Sequence, residues 1–383
     1  MSYDVEALRR TEFPRLLDED VIYFNNASTG PLPRRTEATL ADWARHRAVP
    51  HTISQEMEFG TLEIGRRLLA ELIGAHESEI AMATNTTFGL NLAAFSLPLE
   101  RGDVVLSPDL EFPANVYPWM QLAARRGVEY RRLRCDDGPL DVARLSRELE
   151  DDRVRVVTVS WVQFASGARV DLAALGTLCR ERDVYFVVDA IQGLGPLTLD
   201  LRTTPVDILA CGAQKWLLSP WGAGFVYVRR ELVQQLQPHD VSWLAVRGSD
   251  DFTRLTNYDL TWRDDARKFE LITLPYQEFA AMNATLELIR ELGAANVSAY
   301  SQSLADRIVA WACSRSDMTL KTPTKPGQYG SIVSVRPPDA AAASARLSAA
   351  GVVHSFREGG IRLSPYFYNT VDEVDRVLEI IGE

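Results

Sequence analysis

Lysine is scarce in this sequence of 383 residues. Four lysines occur, at positions 215, 268, 321 and 325, and the first 214 residues contain none. The other basic side chains among the 41 are arginines. Covalent chemistry on an amine therefore has very few positions available.

Cysteine and histidine are also few. Cys135, Cys179, Cys211 and Cys313 show no CxxC spacing, and none lies beside one of the five histidines in a ligand-like pattern. This usage excludes a disulfide framework and predicts no metal site.

An excess of positive charge is missing. The formal net charge is −11, which argues against binding nucleic-acid phosphates or an anionic membrane surface. No apolar run approaches the roughly 18 residues of a membrane span, and MSYDVEALRRTEF at the N-terminus lacks the apolar core of a signal peptide. A cytoplasmic globular protein is expected.

Short apolar strands alternate with amphipathic helices from about residue 79 to 228. Helical spacing is clearest at 113–126, 141–150 and 171–182. This order predicts an α/β fold with a mainly parallel sheet, whose ligands bind at the carboxyl ends of the strands. The predicted strands are 79–83, 103–107, 128–133, 154–160, 184–189, 207–211 and 224–228.

The pattern changes after residue 228. An irregular stretch, 229–270, precedes a helix at about 276–291, and the tail is expected to form a small α+β domain. Its predicted elements are 331–336, 339–350, 352–356, 360–364 and 371–381. We predict an N-terminal segment (1–20) that packs on the small domain, a large domain (21–275) and a small C-terminal domain (276–383).

Two charged residues follow predicted strands. Asp189 ends one strand, where an aspartate either caps the next helix or serves a ligand. Lys215 lies just past the next strand in GAQKWLLSPWGAGF. Apolar surroundings would lower its pKa and make it a nucleophile, whereas a structural lysine would extend to the surface.

Two further segments contain candidate ligand-binding residues. Thr86 and Thr87 in TNTTFGLNL stand at a predicted helix N-terminus, where threonines either bind phosphate or cap the helix. Phe112 in LEFPANVYPW either stacks on a planar ring or belongs to the core. A reactive lysine, an acid, a phosphate seat and a stacking ring are what pyridoxal phosphate requires of a protein.

The chain resembles the class V aminotransferase family of fold-type-I pyridoxal-phosphate enzymes, which includes cysteine desulfurases, selenocysteine lyases and isopenicillin N epimerase-like proteins. The resemblance runs from YFNNASTGPLP (23–33) to IRLSPYFYNTVDEVDRVL (361–378). It is most specific at VVDAIQG and AQKWLLSPWGAGFVYV. It implies a seven-stranded, mainly parallel sheet in the large domain and a homodimer with shared active sites.

The resemblance also implies residue roles. Lys215 would hold pyridoxal 5'-phosphate as an aldimine, and Asp189 would keep the pyridine nitrogen protonated. The remaining assignments are Gln192 at the ring oxygen, Phe112 stacked on the ring, Thr86, Thr87 and Gln214 at the phosphate, Thr273 at the neighbouring chain's phosphate, Arg362 at the substrate carboxylate, and Asn26 and Ala27 on the substrate side.

The sequence departs from the desulfurases at several of these positions. Gln214 and Gly212 replace a histidine and a serine, and Phe112 replaces a histidine that moves protons. Trp161 replaces a polar residue that helps to bind the substrate carboxylate. The segment 352–364 lacks the cysteine that takes up sulfur as a persulfide.

These departures shape the predicted activity. We expect an enzyme acting at Cα or Cβ of an amino acid, a class V lyase or desulfurase-like enzyme without a persulfide cysteine. The alternatives are an isopenicillin N epimerase-like racemase and an aminotransferase. A protein that binds the cofactor without turnover is the non-enzyme alternative.

Overall fold

The computed structural model describes residues 3–135 and 138–383. The strands are β1 Ile22–Tyr23, β2 Ile80–Ala83, β3 Val104–Pro108, β4 Glu129–Leu133, β5 Val154–Ser160, β6 Tyr185–Asp189, β7 Ile208–Gly212, β8 Gly224–Val228, β9 Thr319–Leu320, β10 Val333–Arg336, β11 Val352–Val353, β12 Ser355–Arg357 and β13 Gly360–Leu363. The helices are α1 Val5–Glu12, α2 Pro14–Asp18, α3 Arg34–Ala48, α4 Gln55–Ile73, α5 Thr86–Ser96, α6 Tyr117–Arg126, α7 Val142–Glu148, α8 Leu172–Glu181, α9 Arg230–Gln235, α10 Tyr276–Leu292, α11 Ala294–Cys313, α12 Ala340–Ala349 and α13 Val371–Gly382.

A seven-stranded sheet forms the centre of the fold, in the order β2-β8-β7-β6-β5-β3-β4. The strands from β4 to β7 pair in parallel, whereas β8 is antiparallel to β2 and β7. The predicted mainly parallel α/β fold is therefore confirmed. Parallel pairing places the carboxyl ends of β5, β6 and β7 side by side, since Ser160 pairs with Asp189 and Asp189 with Ala210.

Both faces of this sheet are buried except at the edge strand β4, which explains why its other strands are runs of apolar residues. Neighbouring residues alternate between two cores. Val187 faces a core with Leu90 and Trp119, whereas Val188 faces the larger core that includes Phe279.

The C-terminal region forms a smaller antiparallel sheet, β12-β13-β10-β9. The predicted strand 352–356 is divided in two, because β11 pairs with β1 while β12 pairs with β13. Arg9 of α1 forms a 2.8 Å ion pair with Glu373 of α13. The domain boundaries given above stay a prediction.

Within residues 3–135 and 138–383, no helix is long and apolar enough to cross a membrane. The same part of the chain contains no group of three or more side chains that could together ligate a metal ion.

Candidate active site

Asp189 is the last residue of β6 and is 3% exposed. Its Oδ1 accepts a 3.0 Å hydrogen bond from the backbone N–H of Ile191. Burial raises the pKa of this carboxyl to about 6, while the hydrogen bond and the positive charge of Lys215 oppose the rise. Asp189 is therefore a buried acid that a nearby cation would keep ionised.

Lys215 lies three residues beyond β7, in a turn that carries a positive φ at Leu218. Burial lowers the pKa of its amine to about 8, and the positive charges of Arg362 and Arg357 act in the same direction. Asp189 opposes this effect. More of this amine is thus unprotonated near neutral pH than in an exposed lysine, which favours its use as a nucleophile.

The turn that carries Lys215 is held by the N-terminal loop. The backbone N–H of Gly30 donates a 2.9 Å hydrogen bond to the carbonyl of Gln214. A Cβ at Gly30 would come within 2.2 Å of the Lys215 carbonyl oxygen. Only glycine allows the two segments to approach this closely.

The N-terminus of α5 points to the same edge of the sheet. Asn85 caps this helix, since its Oδ1 accepts a 2.9 Å hydrogen bond from the N–H of Phe88. The cap is therefore not a threonine. Thr86 is buried and its Oγ1 accepts a 2.8 Å hydrogen bond from the N–H of Gly212, whereas Thr87 is exposed. The hydroxyl hydrogens and free N–H groups here suit an anion.

Phe112 lies beside the lysine rather than in the core. Its side chain is 44% exposed, and its ring centre is 5.7 Å from Lys215 Nζ. Its edge contacts Phe164, with ring centres 5.3 Å apart. The ring is available for stacking on a planar group next to the amine.

Gln192 is buried and already has partners for both ends of its amide. Nε2 donates to the carbonyl of Ala27 at 3.0 Å, and Oε1 accepts from Trp216 Nε1 at 2.9 Å. The second Nε2 hydrogen is the group that could reach a ligand.

Arg362, on β13, is 2% exposed. It donates to the carbonyl of Phe164 at 2.7 Å and to Ser28 Oγ at 2.8 Å, while its Nε has no hydrogen-bond partner in the part of the chain that the structure describes. No salt bridge joins it to a carboxylate within the described residues, which excludes the surface ion pair as its role there. Burial and the charge of Arg357 lower its pKa to about 10.

Asn26 and Ala27 join the N-terminal loop to the segment after β13. Asn26 Nδ2 donates to the carbonyl of Ser364 at 3.1 Å, and its Oδ1 accepts from the hydroxyl of Tyr368 at 3.1 Å. The N–H of Ala27 donates to Ser364 Oγ at 3.1 Å. These bonds hold the N-terminal loop against the segment after β13.

The last two nominated residues are Gln214 and Thr273. Gln214 is partly buried in the turn before the lysine, and a Cβ at Gly212 would come within 2.6 Å of its Oε1. Thr273 is exposed. Its predicted role concerns a neighbouring chain and stays a prediction.

Sequence reasoning missed a buried carboxyl, Glu111. Its Oε1 accepts from the N–H of Ser160 and from Gln163 Nε2, both at 2.8 Å. Its Oε2 accepts from Asn115 Nδ2 at 2.9 Å and from the hydroxyl of Ser160. Burial raises its pKa to about 7, with a smaller contribution from the charge of Asp189. A glutamate directly before the nominated aromatic residue was the available signal.

The residues present fit pyridoxal phosphate. The amine of Lys215 matches its aldehyde, and Asp189 is a buried acid suited to a pyridine nitrogen. Phe112 offers a ring face, and the helix terminus with Thr86 offers donors for a phosphate.

Comparisons with known proteins agree with this fit. The family model for aminotransferase class-V matches residues 22–377. The chain is 31% identical to isopenicillin N epimerase of Streptomyces clavuligerus, over 96% of this chain and 95% of the relative. It is 28% identical to a cysteine desulfurase of Haloferax volcanii, over 94% of this chain and 88% of the relative. The solved complex of the cystine C–S lyase C-DES with cysteine persulfide has the same fold, with a TM-score of 0.87 and 22% identity. The match covers 97% of this chain and 99% of that chain.

Proposed function

The chain belongs to the aminotransferase class-V family of pyridoxal-phosphate-dependent enzymes, and from this premise we propose that it is a lyase that eliminates the Cβ substituent of an amino acid. The observation that carries the proposal is Arg362. A buried guanidinium without a carboxylate partner is costly unless an anionic ligand compensates it. An α-carboxylate bound there would present the rest of an amino acid to Lys215.

Each site residue has a proposed role. Pyridoxal phosphate, when bound to Lys215, supplies the electron-withdrawing ring that eases cleavage of bonds at Cα. Asp189 holds the proton on the pyridine nitrogen, and Phe112 lies against the ring. Thr86, Thr87 and Gln214 hold the phosphate, and Gln192 donates to the ring oxygen. Once the substrate amine has displaced Lys215 from the cofactor, the freed Nζ would take the proton from Cα.

Arg362 orients the substrate by its carboxylate. A planar guanidinium can form two parallel hydrogen bonds to a carboxylate, and this fixes the direction of the Cα–H bond. Asn26 and Ala27 support this side of the site through the segment after β13.

The cysteines support elimination rather than transfer of sulfur to the protein. Burial raises the pKa of Cys135 to about 11 and that of Cys179 to about 12, and Cys211 is fully buried with a raised pKa. Thiols in this state are poor nucleophiles. Cys313 is exposed at the end of α11, and 352–364 contains no cysteine.

An epimerase is the second candidate, and one observation favours it. The relative with 31% identity over nearly the whole chain carries that name. An epimerase would return a proton to the opposite face of Cα instead of expelling a group from Cβ.

We further propose a homodimer with shared sites, in which Thr273 reaches the phosphate of the neighbouring chain. Large apolar side chains are exposed on this chain, with Trp221 at 73%, Tyr258 at 90% and Leu260 at 70%. Such side chains typically mark protein contacts when they form a patch. A cytoplasmic location stays a prediction.

The reaction is tested by a screen of amino acids in heavy water. A keto acid, accompanied by the released Cβ group, is expected for the lyase. Deuterium at Cα with inverted configuration would contradict elimination and identify the epimerase. Conversion of the cofactor to its amine form would indicate an aminotransferase.

The cofactor site is tested independently. Borohydride reduction and peptide mapping should place the cofactor on Lys215, and label on Lys268 instead would contradict the assignment. For the shared site, mixing Lys215→Ala with Thr273→Ala should restore one intact site in each mixed dimer. Mixed dimers that bind cofactor as weakly as the Thr273→Ala protein would contradict the role of Thr273.

A further inference from the structure

We propose that the substrate carries a second anionic group besides its α-carboxylate, and that Arg357 binds it. This inference rests on the proposed function, because it takes Arg362 as the residue that binds the α-carboxylate. Arg357 would then determine which amino acids are accepted.

The hairpin of β12 and β13 places the two arginines on one face. Arg362 pairs with Ser355 across the hairpin, and the two side chains are in contact, with Arg362 Nη2 3.4 Å from Ser355 Oγ. Ser355 also donates to Asn25 Oδ1. Side chains two residues apart lie on the same face of a strand. The side chain of Arg357 therefore lies on the same face of β12 as that of Ser355, and this is the face of the active site.

The end of this hairpin is fixed in position. Positive φ angles at Glu358 and Gly359 form the turn. Arg336 donates to the carbonyl of Glu358 at 2.7 Å and to that of Gly359 at 3.1 Å. These hydrogen bonds hold the turn in place, so the backbone of Arg357 is fixed at the exposed edge of the site.

The charge of Arg357 acts on the residues of the site. It lowers the pKa of Lys215 and of Arg362. Arg357 is exposed, and neither a hydrogen bond nor a salt bridge occupies its side chain in the described part of the chain. The acceptors of Arg362 are all uncharged oxygens, from Phe164, Ser28 and Ser355.

Two arginines therefore face the substrate side, and within residues 3–135 and 138–383 no carboxylate pairs with either of them. One α-carboxylate compensates Arg362 and leaves Arg357 without a counter-charge. A substrate with a side-chain carboxylate or sulfinate would compensate both. The corresponding amides and other neutral amino acids would leave one cation unmatched.

The test titrates the holoenzyme with matched pairs, L-glutamate against L-glutamine and L-aspartate against L-asparagine, and follows the absorption of the bound cofactor. In the wild type we expect the acid of at least one pair to bind at least tenfold more tightly than its amide. Arg357→Gln should reduce this preference to less than twofold, chiefly by weakening the acid, and Arg357→Lys should retain part of it. Arg376→Gln, which removes the same charge from an exposed position on α13, should retain the full preference.

Equal binding of acid and amide by the wild type would overturn the inference, as would an unchanged preference in Arg357→Gln. Either result leaves the proposed function standing, provided that Arg362→Lys weakens all four amino acids together. An absorption spectrum that none of the four alters would also overturn the inference, whereas the proposed function is judged by the amino-acid screen in heavy water.

Discussion

Replacing Glu111 by glutamine should change how the stability of the protein depends on pH. The substitution keeps the shape of the side chain and removes its titration. The glutamine amide can be placed in two orientations. The less costly one puts its nitrogen at the position of Oε2, where the hydroxyl of Ser160 can rotate and accept a hydrogen bond from it. Asn115 Nδ2 then faces another donor and loses its hydrogen bond. This loss costs about 1–2 kcal/mol at any pH.

The pH-dependent part has the opposite sign. The pKa of Glu111 rises from 4.5 to about 7 on folding. An acid with a raised pKa contributes its full stability below the unfolded value and loses it as the pH rises through the folded value. At 1.36 kcal/mol per pKa unit, wild-type protein should lose about 2–3 kcal/mol through this carboxyl between pH 5 and 8.5. Glutamine avoids that loss.

The assay is urea unfolding of cofactor-free protein, followed by tryptophan fluorescence from pH 5 to 8.5. Glu111→Gln should be less stable than wild type at pH 5, and the difference should shrink or reverse by pH 8.5. Glu150→Gln, at an exposed position, should run parallel to wild type. Parallel curves for Glu111→Gln as well would refute the inference that this carboxyl is buried and protonated at acidic pH.

The central sheet could be predicted from the sequence because most of its strands are buried on both faces. Runs such as VRVVTVS and GFVYV are apolar almost throughout, and their predicted limits match β5 and β8. The break between β11 and β12 could not be predicted. It depends on the pairing of each half, since β11 pairs with the distant strand β1 and β12 pairs with the adjacent strand β13.

In the site, single residues that follow strands could be predicted, whereas their partners could not. Lys215 and Asp189 follow apolar runs that mark the edge of the sheet. The partner of Arg362, Ser28, lies 334 positions away in the sequence. Ser160, which donates hydrogen bonds to the carboxyl of Glu111, lies 49 positions away from it in the sequence. Contacts of this kind arise from the tertiary fold and leave no local pattern.

Three further substitutions test the site. Asp189→Asn should keep the fold but abolish deuterium exchange at Cα, because an amide cannot stabilise a protonated pyridine nitrogen; normal exchange would contradict its role. Gly30→Ala should weaken cofactor binding in a fluorescence titration, because its Cβ would come within 2.2 Å of the Lys215 carbonyl oxygen. Gly60→Ala should not, because a Cβ there would meet no atom within 4 Å beyond its neighbours in the helix. Arg362→Lys should raise the KM of every α-carboxylate substrate about ten- to a hundredfold, since hydrogen bonds to charged groups contribute about 1.5–3 kcal/mol. A single ammonium group cannot replace the planar guanidinium, which also donates to Phe164 and Ser28. If KM stayed unchanged and only kcat fell, the carboxylate would have to bind elsewhere, and the buried guanidinium would be a positioning group.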